Sequence, residues 1–112
     1  MNSLLSVILI TKNNQDTIVE VMSALKGFGE VIVVDGNSTD KTVETIKKII
    51  PKAKVFQKDF GQNIGLQRKY GLKYATGDWV LLLDSDEVVS GELAKEIKSV
   101  INNYISVQSV RS

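Results

Sequence analysis

Four short apolar runs alternate with segments of helical spacing, and this alternation sharply limits the folds open to the chain. The runs are Ser6–Ile10, Val31–Val34, Lys54–Phe56 and Trp79–Leu83. Each is nearly continuous in apolar character, which suits strands buried on both faces of a parallel sheet covered by helices. Between them, Ile18, Val21, Met22 and Leu25 recur at i, i+3, i+4 and i+7, with Asn14 as N-cap and Gly27 past the end. A second helix carries Val43, Ile46 and Ile50, opens near Ser38 to Asp40 and is stopped by Pro51. A third, from about Asn63 to Ala75, sets Ile64, Arg68, Gly71, Leu72 and Ala75 on one side. Ser90 and Gly91 open a fourth, with Leu93, Ile97, Ile101 and Tyr104 in line; Ile105 to Ser112 have no clear assignment. The expected fold is α/β: three layers, a mostly parallel sheet in the order 3-2-1-4, and flanking helices in a Rossmann-like half.

Composition narrows the chemistry. The 112 residues are expected to form one domain, 1–112, and their apolar fraction of 43% supports a collapsed core. Fourteen basic against thirteen acidic side chains leave +1, so no basic field is expected to steer the chain toward nucleic acid or an anionic membrane. Without histidine or cysteine, the commonest general base and the soft metal ligands are missing. A metal here must be a hard cation held by oxygen. No apolar run approaches the ~18 residues of a membrane span.

Polar residues collect at the carboxyl ends of the expected strands. In open α/β sheets ligands bind there, where the strand order reverses. Strand one ends in Thr11, Lys12 and Asn13, strand two in Asp35 and Gly36, strand four in Asp84, Ser85 and Asp86. The tips of strands two and four are expected ~10 Å apart, a span that suits a nucleoside and its first phosphates. Asp84 and Asp86, one residue apart, repel unless something neutralises them, and Mg²⁺ or Mn²⁺ does so alongside phosphates. An isolated Asp-x-Asp also suits a solvated acidic turn; its place at the switch point favours the metal. Asp35 and its neighbours equally suit turn chemistry. Arg68, one of two arginines beside twelve lysines, either reaches a diphosphate with its planar fork or is a surface charge or the partner of a helix carboxylate. Asn13 and Lys12 are ligand candidates or plain loop residues. Trp79, Tyr70 and Tyr74 read as packing residues.

Taken in order, Ser6–Asn13, Val31–Thr42, Gly65–Arg68 and Ala75–Glu87 resemble the N-terminal, nucleotide-sugar-binding half of a family 2 glycosyltransferase with the GT-A fold. The chain is most similar to the branch that includes lipopolysaccharide-core β-glucosyltransferases, over about Ser6 to Ala94. Gly36 and Asn14 stand where many members carry acids. The resemblance implies a UDP-linked sugar as partner and inverting transfer. Thr11 would line the donor site with Asn13, Asp35 would contact the uracil end, and Arg68 would lie near the diphosphate. Asp84 would approach the ribose or a metal water, and Asp86 would bind Mg²⁺ or Mn²⁺ directly. It also implies work on cell-envelope polysaccharide by a cytoplasmic chain able to associate peripherally with the inner face of the membrane.

Residues 88–112 offer no candidate catalytic base, so the expectation is a truncated domain lacking the acceptor half. Its alternative is a non-catalytic nucleotide-sugar-binding or interaction domain. A phosphoacceptor receiver is set aside, because it needs an acidic pair where Thr11 and Lys12 stand. Strand four is expected to be an open apolar edge, which predicts a homodimer or higher species with Leu93 to Val107 contributing to the contact.

Overall fold

The computed structural model describes residues 5–61, 63–85 and 87–111, with side chains of the last helix as far as Ile101. The elements are β1 (Leu5–Thr11), α1 (Ile18–Ala24), β2 (Glu30–Asp35), α2 (Thr42–Ile49), β3 (Lys54–Gln57), α3 (Ile64–Leu72), β4 (Trp79–Asp84) and α4 (Gly91–Arg111). The strands form one parallel sheet in the order β3-β2-β1-β4, as the alternation predicts.

Side chains alternate across the central strand. Val7 and Leu9 point to a core that also holds Ile18, Val21, Met22 and Leu25 of α1, Ile46 of α2 and Ile101 of α4. Ile8 and Ile10 point the other way, joining Ile32 and Val34 beneath α3. Each such fully buried aliphatic side chain contributes about 1.5–3 kcal/mol relative to exposure. The central strands β1 and β2 are thus buried on both faces, while β3 and β4 are only half covered. Val80 and Leu82 of β4 are exposed on the α3 side, at the open edge on which the expected self-association rests.

Three local features differ from the sequence expectation. Asn14 receives the first turn of α1 through its carbonyl, which accepts from Thr17 N and Ile18 N, and its side chain instead accepts from Lys12 N. Of the expected row Ile64, Arg68, Gly71, Leu72 and Ala75, Gly71 faces the sheet and Ala75 packs on the Ile8 cluster, but Ile64 and Leu72 are exposed and Gln67 is buried in their place. The cause is close approach: a Cβ on Gly71 would stand 2.8 Å from Ile8 Cγ2 and 3.2 Å from Val34 Cγ2. Only glycine lets α3 pack at that depth, and the helix rolls to put it there. Finally, the unassigned stretch after Tyr104 continues α4 to Arg111, with neither Gly nor Pro to stop it after Gly91. Among the described residues no helix is long and apolar enough to cross a membrane.

Candidate functional site

A cleft of about 570 Å³ opens over the carboxyl ends of β1, β2 and β4. Thr11, Lys12, Gly36, Gln67, Asp84 and Ser85 line it. Parallel pairing sets Thr11 beside Asp35 and Ile10 beside Asp84, so residues far apart in the chain meet at one rim.

Asp35 is closed to solvent at the end of β2. Its Oδ1 accepts from Thr11 Oγ1 and Ser38 Oγ at 2.6 Å each, and its Oδ2 accepts from Ser38 N at 2.7 Å. A buried carboxylate needs such donors, and here neutral hydroxyls and one amide supply them. Among the described residues no cation pairs with it. The Thr11 hydroxyl is thereby fixed at the cleft wall.

The loops after β1 and β2 are laced together. Asn13 adopts φ 51°, a left-handed conformation that asparagine tolerates. Its side-chain oxygen accepts from Thr39 N at 2.8 Å, and its own N–H donates to Ser38 Oγ at 2.8 Å. Asn14 N donates to Thr42 Oγ1, whose hydroxyl in turn donates to Asp40. That hydroxyl holds the Asp40 carboxyl below its ordinary range. Asn13 is therefore a brace between two loops, and the cleft wall is formed by its neighbours Lys12 and Asn14.

On the opposite rim, Arg68 Nη2 of α3 donates to Asp84 Oδ1 at 3.0 Å. Both side chains are more than a third exposed, so the pair contributes only about 0–1 kcal/mol to stability. Asp84 N donates to Glu87 Oε1 at 2.9 Å, which closes the turn after β4. Arg68 Nε, shielded from solvent, finds no acceptor among the described residues. Asp86, the expected direct metal ligand, lies outside the described residues. Among those described, no three acidic side chains cluster closely enough to hold an ion by themselves.

The structure thus brings together Thr11 with Asp35 and Arg68 with Asp84. Sequence reasoning missed Gln67, which is buried on the sheet side of α3 and lines the cleft. Its signal was present: a glutamine four residues before Gly71 shares the row that close approach presses on the sheet.

The parallel sheet with this order and a polar cleft at its switch point are those of a GT-A fold. The chain belongs to Glycosyl transferase family 2, whose model matches residues 6–111. It is 37% identical over 101 residues to a glycosyltransferase of Rickettsia typhi, covering 89% of this chain and 34% of that one. It is 29% identical over 107 residues to glycosyltransferase SunS of Bacillus subtilis, covering 93% of this chain and 25% of that protein. The crystal structure of S. aureus TarS 1-349 superposes with a TM-score of 0.77 at 34% identity, over 88% of this chain and 32% of that one. TarS in complex with UDP matches at a TM-score of 0.70 and 32% identity. The chain spans about a third of the length of these Rickettsia and TarS relatives.

Proposed function

We propose that the cleft binds the nucleotide of a UDP-linked sugar and serves inverting glycosyl transfer. The observation that carries this reading is the pairing of two different rims across one switch point. Thr11, ordered by the buried Asp35, forms a neutral hydrogen-bonding rim suited to base and ribose. Arg68 and Asp84 form a charged rim suited to a diphosphate and its counter-ion. The UDP complex of TarS, a structure of similar fold, supports the choice of nucleotide.

The donor set fits a hard cation. Asp84 and Ser85 at the cleft present oxygen, and Asp84 Oδ2 accepts no hydrogen bond from the described residues. Asp84 and Asp86 would hold Mg²⁺ or Mn²⁺, which when bound supplies Lewis-acid neutralisation of the departing diphosphate. The chain's own contribution is to bind and orient. Arg68 brings its guanidinium charge beside Asp84 at the cleft, where a phosphate would sit, and the laced loops keep Thr11 in place without reorganisation.

Isothermal titration of UDP, with and without Mn²⁺, tests the reading. The expected result is binding that Mn²⁺ strengthens and Arg68→Ala weakens about tenfold, as loss of a charge-assisted contact does. No heat at millimolar UDP in either condition refutes it. Binding indifferent to Mn²⁺ removes the metal from it.

A further inference from the structure

The net charge of +1 conceals a local asymmetry. From Phe60 to Gly77 the chain carries three cations and no acid. Arg68 is committed to Asp84, but among the described residues Lys58, Lys69 and Lys73 form no ion pair. The nearest acid in sequence, Asp59, accepts from Gly61 N.

The roll of α3 that turns Gln67 and Gly71 to the sheet also turns these cations outward. Helical spacing places Lys69 and Lys73 between Leu66 and Leu72, which are 46% and 45% exposed. Beside them lies a concavity of about 450 Å³ lined by Lys58, Phe60, Leu66, Tyr70, Lys73 and Tyr74. Tyr74 is held to β3 by stacking on Phe56 with centroids 4.2 Å apart, and Tyr70 meets Phe60, in the loop after β3, edge-on at 5.6 Å. The ammonium groups of Lys58 and Lys73 stand 5.8 Å and 5.5 Å from the Tyr70 centroid. Both ammonium heads thus lie within cation–π reach of one ring, with no carboxylate opposite them among the described residues. A polyanion alone would account for the lysines, not for exposed leucines around an aromatic floor.

We propose that this face of α3 and β3 docks the chain peripherally on a bilayer rich in anionic phospholipid. Lysines meet the headgroups, while Leu66, Leu72 and the rings settle at the headgroup–acyl boundary. The concavity shares no lining residue with the cleft, so docking leaves the cleft open. The inference stands whether or not the cleft binds UDP.

Sedimentation of the 112-residue chain with phosphatidylcholine vesicles, plain or containing roughly one third phosphatidylglycerol, tests it. The expected result is partition onto the anionic vesicles only, falling as salt rises. Combined Lys58→Gln, Lys69→Gln and Lys73→Gln should lower the partition coefficient about fivefold per lysine. Leu66→Ser should lower it several-fold with the charge unchanged, and melting followed by circular dichroism should show both variants folded. Absence of any phosphatidylglycerol dependence overturns the proposal, as does wild-type partition by the folded lysine variant. So does equal retention on single-stranded polynucleotide with no effect of Leu66→Ser, which would mark a generic polyanion site.

Discussion

Strand β2 carries a carboxylate at each end, and the two are held in different ways. At the amino end, Glu30 accepts from Ser6 Oγ of β1 at 2.8 Å, Lys54 Nζ of β3 at 2.9 Å, and Thr76 N and Oγ1 before β4 at 2.9 Å and 3.1 Å. One side chain thus ties the beginnings of all four strands. Ser6 Oγ also accepts from Gly77 N, where a Cβ would come within 2.8 Å of that oxygen. At the carboxyl end, Asp35 is held by hydroxyls and an amide with no cation, beside an open cleft. Burial acts to raise the Glu30 carboxyl. The bonds from Lys54, Thr76 and Ser6 outweigh burial and bring it from an ordinary 4.5 to about 2. The amino end is closed by a full set of strong partners and offers nothing to a ligand. The carboxyl end leaves charge and hydrogen-bonding capacity at a concave surface. The closed polar cluster and the open cleft thus lie at opposite ends of one strand.

The sharpest way to break this comparison is at Glu30. Glu30→Ala leaves Lys54, Ser6 and Thr76 without their acceptor and should cost about 2–3 kcal/mol in denaturant unfolding. UDP affinity below the melting temperature should be unchanged, because the cleft lies at the other end. An affinity loss as large as the stability loss would show that the two ends are not separate.

Asp35→Asn reverses the assignment. The amide keeps the shape and one acceptor for Ser38 N but cannot accept from both hydroxyls, so about 1–2 kcal/mol of stability should be lost. UDP binding should fall by about tenfold or more, as the Thr11 hydroxyl loses its fixed orientation. Calorimetry on the folded variant checks both; undiminished binding would confine Asp35 to a structural role.

The smallest effect is in acid. The folded Glu30 carboxyl titrates below its unfolded value, so its contribution is complete above about pH 4.5 and is lost as pH falls toward 2. Screening by the half-exposed Lys54 keeps that contribution to about 1–2 kcal/mol. Urea titrations between pH 5 and pH 2 should give a steeper decline for the wild type than for Glu30→Gln. Lys54→Met should fall between them. Parallel profiles would mean that the Glu30 ties contribute nothing on folding.

The sequence by itself determined the order of elements and the chemistry at their ends. Runs such as Val31–Val34 and the turn residues after them follow from period and local backbone preference, which act over a few neighbours. Thr11, Asp35 and Asp84 could therefore be placed at strand tips, and the family motifs named, before any coordinates. Tertiary structure alone decided which of these residues touch. Thr11 meets Asp35 across 24 positions and Arg68 meets Asp84 across 16, contacts set by strand order and register. It also decided the roll of α3. Periodicity favoured the row of Ile64, Arg68, Gly71, Leu72 and Ala75; Gly71 and Ala75 do pack inward, but the depth allowed at Gly71 left Ile64 and Leu72 exposed, brought Gln67 into the cleft and turned Lys69, Lys73 and Leu66 outward. The mixed pattern of α3 gives that local preference little weight, and close packing against Ile8 and Val34 overrides it.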